Sequence, residues 1–306
     1  MVTKLEQLIE KVKSGGKRRL AAAYANDAHT IGAVSMAVDR GLVDGILVGD
    51  EATIKAVCSA EKIDAGKFRI VQEADEAKAT GKAVEIVRSG EADVLMKGLV
   101  STDKYMRAIL NKETGLLPPK ATLSHVCVLE IPAYHKLLTL SDIAVIPAPD
   151  LAQKITLTNN VISVARLLDI DTPKVAIVAA TEQMLPNMQA CVDAAIIAKM
   201  ADRGQIRNAL VDGPLALDVA LDKEAVEIKK LKSAVAGDAD CLIFPSIEAA
   251  NVFFKAATKL AKAELAGIVV GAKAPCVLTS RGDTALTKLY SIALGSLMVK
   301  APKSKA

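Results

Sequence analysis

Short apolar runs alternate with longer amphipathic stretches along nearly the whole chain, and this rhythm restricts the fold more than any other feature. The segments "RRLAAAYA" (18–25), "DGILVG" (44–49), "FRIVQ" (68–72) and "ADVLMKG" (92–98) read as strands. Helices are predicted over residues 27–40, 74–89 and 102–110, where apolar residues recur at helical spacing. Strands separated by helices pair in parallel, because each crossover returns the chain in the same direction. The expected fold class is therefore α/β, a parallel sheet covered by helices on both faces.

The segment "GLLPPKATLSHVCVLEIP" (115–132) interrupts the rhythm. Pro118-Pro119 fits neither a helix interior nor a central strand, so a domain crossing is expected there. Beyond it, "LSDIAVIPAP" (140–149), "KVAIVAA" (174–180) and "CLIFPS" (241–246) read as strands. Helices are expected over residues 151–168, 187–201 and 247–262. "LAGIVVG" (265–271) and "APCVLTS" (274–280) return two strands before a last helix with Leu286, Leu289, Tyr290, Ala293 and Leu297 as its core stripe. With 306 residues and 51% hydrophobic composition, the chain can fill the cores of two such domains.

Composition removes several function classes. No apolar run reaches the roughly 20 residues that span a bilayer, and the start of the chain lacks the apolar core of a secretory signal. A soluble cytoplasmic protein is expected. The net charge is only +4, and 3% aromatics with no Trp offer no stacking platform for single strands, so nucleic-acid binding is not expected. The five cysteines are scattered without a C-x-x-C spacing and read as core residues of a reducing compartment. The three histidines form no H-E-x-x-H, and neither G-x-x-x-x-G-K-[ST] nor G-x-G-x-x-G occurs. No metal site is expected.

In open α/β sheets, ligands bind beyond the carboxyl ends of strands, where helix N-termini present free N–H groups. Four turns stand out on that criterion. In "LMKGLVSTDKYMR" (95–107), Lys97 precedes Gly98, and Ser101 and Thr102 open a helix carrying Arg107. Ser, Thr and Asp are ordinary N-caps, yet the same hydroxyls, N–H groups and cations suit a phosphate. In "LVDGPLALD" (210–218), Asp212-Gly213-Pro214 reads as loop. In "FPSIEAANVFFK" (244–255), Glu248, Asn251 and Lys255 share one helical face, which is usually a solvated one. In "LTSRGD" (278–283), Asp283 reads as the N-cap of the last helix, but a cap leaves Ser280 and Arg281 unexplained.

These stretches, with "LSDIAVIPAPDLAQK", occur in the order found in the phosphate acyltransferases, and the chain resembles the phosphate acetyl/butyryltransferase family, its butyryl branch above all. The likeness covers roughly residues 15–300. It implies two three-layer α/β domains with a cleft between them, similar to the isocitrate/isopropylmalate dehydrogenase fold. It implies a discontinuous first domain, residues 1–116 and 270–306, with residues 117–269 inserted. It implies a homo-oligomer, dimer or larger, and the reaction acyl-CoA + phosphate = acyl phosphate + CoA by direct transfer, butyryl being the expected acyl group. Coenzyme A is then substrate and product, and no cofactor is expected.

The resemblance also assigns roles. Arg281 matches the family's active-site arginine and Ser280 the adjacent hydrogen-bond donor. Ser101 and Thr102 match the phosphate-side hydroxyls and Arg107 an arginine credited with substrate contacts. Lys97 and Asn251 join the expected substrate-binding set. The acetyl branch carries an acidic residue six positions after the arginine, where Thr287 stands here. Either Asp283 serves as base for the CoA thiol, or the thiol ionises without one. Acetyl-, propionyl- or branched-chain acyl-CoA remain alternative substrates. Outside the class stand a metal-dependent decarboxylating dehydrogenase, for which the Asp cluster and arginine-rich loop are missing, and a non-catalytic CoA or acyl-phosphate binder.

Overall fold

The structure is a computed structural model that describes residues 1–280 and 282–299. In chain order its elements are α1 (Glu6–Ser14), β1 (Arg18–Ala23), α2 (Ala28–Asp39), β2 (Val43–Gly49), α3 (Glu51–Ala60), β3 (Arg69–Gln72), α4 (Glu76–Arg88), β4 (Val94–Lys97) and α5 (Thr102–Leu110). They continue with β5 (Ser124–Glu130), β6 (Leu138–Ser141), α6 (Leu151–Leu167), β7 (Lys174–Val178), α7 (Gln189–Asp202), β8 (Leu210–Leu215), α8 (Leu217–Leu221), α9 (Lys223–Lys229), β9 (Cys241–Ile243) and α10 (Ile247–Leu260). β10 (Glu264–Val270), β11 (Cys276–Val277) and α11 (Ala285–Met298) complete the described chain. The fold class is α/β, as expected from the rhythm of the sequence.

The chain forms two compact units. One holds residues 5–123 and 265 onward, the other residues 1–4 and 124–264. In the first unit the strands lie in the order β3-β2-β1-β4-β11-β10. All neighbours run parallel except β10, which is antiparallel to β11. Helices α1, α2 and α11 pack together, and α4 packs with α5. β4 is buried along its whole length, and the last four residues of β1, Leu20 to Ala23, are fully buried. Such strands are covered on both faces, which is why they read as continuous apolar runs rather than as alternation.

In the second unit the order is β5-β6-β9-β7-β8, with β5 antiparallel to β6 and the remaining pairs parallel. Its core includes a buried ion pair, Lys154 Nζ on α6 to Asp193 Oδ2 on α7 at 2.7 Å. All five cysteines are buried with free thiols. Among the described residues, no helix is long and apolar enough to cross a membrane.

Four local expectations need correction. β5 lies inside the segment expected only to break the rhythm. The expected strand over 140–149 ends at Ser141, because the Asp142 carboxylate accepts the N–H groups of Ala144 at 2.8 Å and Val145 at 2.9 Å and folds the chain into a turn. Asp212-Gly213-Pro214 is not a loop but lies within β8. β8 ends the strand order and pairs with β7 alone, so a proline without an N–H is tolerated there. Finally, α11 is capped by Thr284, whose Oγ1 accepts the Thr287 N–H at 3.1 Å, and not by Asp283. Leu286 of the expected core stripe is 36% exposed, whereas Thr287, Lys288 and Ser291 are buried.

Candidate active site

β1, β4 and β11 are adjacent and parallel, with Ala23 level with Lys97 and Val277 level with Met96. Their carboxyl ends therefore emerge side by side in the first unit, each leading into a helix: β1 into α2, β4 into α5 and β11 into α11. This is the edge at which open α/β sheets bind ligands.

The β4–α5 turn rests directly on the β1–α2 turn. Gly98 and Leu99 donate their N–H groups to the carbonyls of Ala23 and Tyr24, each at 3.0 Å. A Cβ on Gly98 would lie 2.6 Å from both of those carbonyl oxygens, so glycine is required by close approach of backbones. Lys97 is 1% exposed, and its Nζ donates to the Gly98 carbonyl at 3.2 Å. Its ammonium thus sits inside the turn rather than in solvent.

Ser101 is the N-cap of α5. Its Oγ accepts the Lys104 N–H at 3.3 Å, and its own N–H donates to Glu76 Oε1 at 2.8 Å. Thr102 is exposed at the first helical position, and the N–H groups of Thr102 and Asp103 have no intrahelical acceptor by the geometry of a helix start. Arg107 is exposed and pairs with Asp103 at 2.9 Å, one turn back on the same helix. An exposed pair of this kind is weak and leaves the guanidinium free to exchange partners.

The β11–α11 turn is closed by Asp283. Its Oδ2 accepts the Ser280 N–H at 2.7 Å, and its N–H donates to the Ser280 carbonyl at 3.2 Å. Ser280 is exposed. Arg281 lies outside the described residues. Thr287, at the position acidic in the acetyl branch, is buried and engaged with Thr284 through both its N–H and its hydroxyl, so it takes no part as a base.

Two further side chains belong to this edge and were given no role from sequence. Lys288, in the first turns of α11, is 1% exposed, and its Nζ reaches Thr279 Oγ1 at 3.2 Å and the Ser280 carbonyl at 2.9 Å. Burial pushes the pKa of its ammonium below that of an ordinary lysine, with Asp27 and Asp283 opposing the shift. Asp27 caps α2, its Oδ1 accepting the Thr30 N–H at 2.9 Å, while its Oδ2 is buried without a hydrogen bond. A lysine inside "ALTKLYSIAL" is a visible irregularity, but a helical period alone cannot say whether such a residue snorkels outward or points back into the turn.

Tyr105 links two of the turns. It is fully buried on α5, and its hydroxyl donates to the Val277 carbonyl of β11 at 3.1 Å. The helix carrying Ser101, Thr102 and Arg107 is thereby held to the strand that leads to Ser280. The structure thus gathers Lys97, Ser101, Thr102, Arg107, Ser280 and Asp283 in one unit, on the two adjacent strands β4 and β11 and the turns and helix that follow them. Asn251 belongs to the other unit, half-buried on α10, where its Nδ2 donates to the Ile143 carbonyl at 3.0 Å. Among the described residues, no group of His, Cys, Asp and Glu is arranged to hold a metal ion.

Comparison with known proteins shows the family to which the chain belongs. Residues 71–296 match the family described as phosphate acetyl/butaryl transferase. The chain is 44% identical over 298 residues to the phosphate butyryltransferase of Clostridium acetobutylicum, covering 97% of this chain and 99% of that protein. It is 42% identical over 293 residues to a phosphate acetyltransferase of Thermotoga maritima, covering 96% and 99%. Among solved structures, a branched-chain phosphotransacylase from Enterococcus faecalis V583 superposes with a TM-score of 0.80 at 30% identity, over 92% of this chain and 100% of that one. With full-length identity at this level and a match across more than half of its residues, the chain belongs to the phosphate acetyl/butaryl transferase family.

Proposed function

We propose that this protein transfers a short acyl group, butyryl in the first place, between coenzyme A and phosphate: acyl-CoA + phosphate = acyl phosphate + CoA. The observation that carries this proposal is the 44% identity to a phosphate butyryltransferase over 97% of the chain. The geometry of the β4–α5 and β11–α11 turns supports it. A phosphate oxygen attacks the thioester carbonyl carbon, a C–O bond forms, and a tetrahedral oxyanion develops. Its collapse breaks the C–S bond and releases CoA as thiolate, which then takes a proton. No covalent enzyme intermediate is required, so catalysis rests on positioning and on charge placed in advance.

In this scheme phosphate sits at the start of α5, among the Ser101 and Thr102 hydroxyls and the free N–H groups of the first turn, with Arg107 turning from Asp103 to the anion. Arg281 steadies the developing oxyanion and Ser280 donates a hydrogen bond beside it. Asp283 receives the thiol proton in the reverse direction. Lys97, held within its turn, contributes positive potential behind the phosphate. Neither metal nor nicotinamide is needed. We further propose that the protein works in the cytoplasm as a homo-oligomer. Val252 and Leu260 on α10 are 68% and 84% exposed, which supports a covered face in the assembly, and light scattering after size exclusion tests it.

The testing experiment is oxyanion-dependent CoA release across acyl-CoA chain lengths. Arsenate has the shape and charge of phosphate, and acyl arsenates hydrolyse in water. We expect continuous, irreversible CoA release from butyryl-CoA with arsenate and equilibrium-limited release with phosphate, both indifferent to a chelator. Release that is equally fast without either oxyanion would identify a thioesterase. No release with any acyl-CoA would identify a binding protein. Faster turnover of acetyl- than of butyryl-CoA would move the protein to the acetyl branch, at which 42% identity also points.

A further inference from the structure

Lys288 is the least expected residue of the candidate site. Lysine is among the residues least often fully buried, yet this one is 1% exposed in a helix whose neighbouring positions, Leu289 and Ile292, are fully buried. A methionine or leucine would fill the same space without desolvating a charge. The ammonium is not spent on a buried ion pair. It points back beyond the start of α11 and donates to the Thr279 hydroxyl at 3.2 Å and the Ser280 carbonyl at 2.9 Å. The carboxylates of Asp27 and Asp283 act on it electrostatically without a hydrogen bond to it.

The consequence falls on Ser280. Its N–H is held by the Asp283 carboxylate at 2.7 Å, and its carbonyl accepts both the Asp283 N–H at 3.2 Å and Lys288 Nζ at 2.9 Å. The main chain of this residue is therefore clamped at both ends, while the residue itself stays exposed. A serine in a polar turn would otherwise sample several backbone states, and a hydrogen-bond donor that wanders contributes little to a transition state.

We propose that Lys288 is a positioning residue for acyl transfer, holding the Thr279 hydroxyl and the Ser280 carbonyl so that the exposed Ser280 hydroxyl is kept toward the anionic substrate. This rests on the assignment of the β11–α11 turn to the acyl-transfer site. Lys288 touches no reacting atom. It acts through Ser280, and that makes the proposal separable from a general role in packing.

The test is a double-mutant cycle on arsenate-dependent CoA release, with Ser280→Ala, Lys288→Met and the double variant, each checked by thermal melting. We expect Lys288→Met to lower kcat roughly 10- to 100-fold while KM for butyryl-CoA stays within about twofold. In the Ser280→Ala background the same substitution should cost little more, because the hydroxyl it positions is gone. Thr279→Val, which keeps the ammonium but removes one of its two acceptors, should lower kcat in the same direction by less, and it decides the matter if Lys288→Met does not fold. Wild-type kcat in both Lys288→Met and Thr279→Val, or losses that multiply in the double variant, would overturn the positioning role while leaving the site intact. A wild-type protein without oxyanion-dependent release, or a Ser280→Ala variant with full activity, would overturn the site assignment and this proposal with it.

Discussion

Asp283 closes the β11–α11 turn with its carboxylate and leaves the capping of α11 to Thr284, so its charge is not committed to a helix end. Asn at this position can still accept the Ser280 N–H through its amide oxygen. The Asp283→Asn variant should therefore melt close to wild type. Its rate from acyl phosphate and CoA should fall roughly 10²-fold, the lower end of what a general base contributes. Retained activity would mean that the CoA thiol ionises without Asp283. For Arg281→Ala the role proposed for it at the developing oxyanion predicts a kcat loss of roughly 10²-fold or more at an unchanged melting temperature. Wild-type turnover there would remove Arg281 from the mechanism. Arg281 stood out in the string "LTSRGD" because a turn that needs only polarity does not need a guanidinium, whereas Asp283 read as a helix cap, a place that Thr284 takes in the structure. Lys288 was not legible, because which way a buried lysine turns is decided by the strand end beside it.

At the scale of elements, one buried contact links the two candidate turns. Tyr105 on α5 is fully buried, and burial pushes its phenol well above the ordinary tyrosine pKa, so it stays a neutral donor to the Val277 carbonyl. Tyr105→Phe keeps the ring and removes the donor, leaving a buried acceptor less satisfied. We expect a loss of about 1–3 kcal/mol in urea unfolding, with a raised KM for phosphate as α5 loosens from β11. An unchanged urea midpoint would show that the hydroxyl does not hold the helix. Helix starts were readable for a related reason. Ser101 caps the helix that its position announced, and Asp150 and Ser246 cap α6 and α10 in the same way, because a cap is a bond between residues three apart. β8 was not readable. Proline in its middle excludes an inner strand, and only the strand order makes it an edge.

Across the whole molecule, stability should depend on pH through a cluster in the second unit. Asp238 is bonded by Lys174 Nζ at 2.7 Å, Lys136 Nζ at 3.0 Å and His135 Nε2 at 2.9 Å. Burial alone would raise its pKa, but bonds from Lys174 and Lys136 outweigh burial and hold it well below the usual carboxylate range. A carboxylate depressed on folding stabilises the protein above its unfolded pKa of about 4, and that contribution is lost as pH falls toward the folded value. Wild type should therefore be more stable than Asp238→Asn at pH 7, with the gap in urea midpoint narrowing as pH falls below about 4. A gap that stays constant from pH 6 to pH 3 would rule out this linkage. The alternation of apolar runs and amphipathic stretches was by itself sufficient to determine the α/β class, since strand and helix periods are properties of neighbouring residues. The family followed from short polar strings at strand ends, where the chemistry is local. Only the tertiary structure decided that β1, β4 and β11 lie side by side, that Gly98 is needed for backbone approach and that Lys288 reaches back to Ser280. Each of these is a contact between residues distant in sequence or turned by packing, and no local period encodes such a contact.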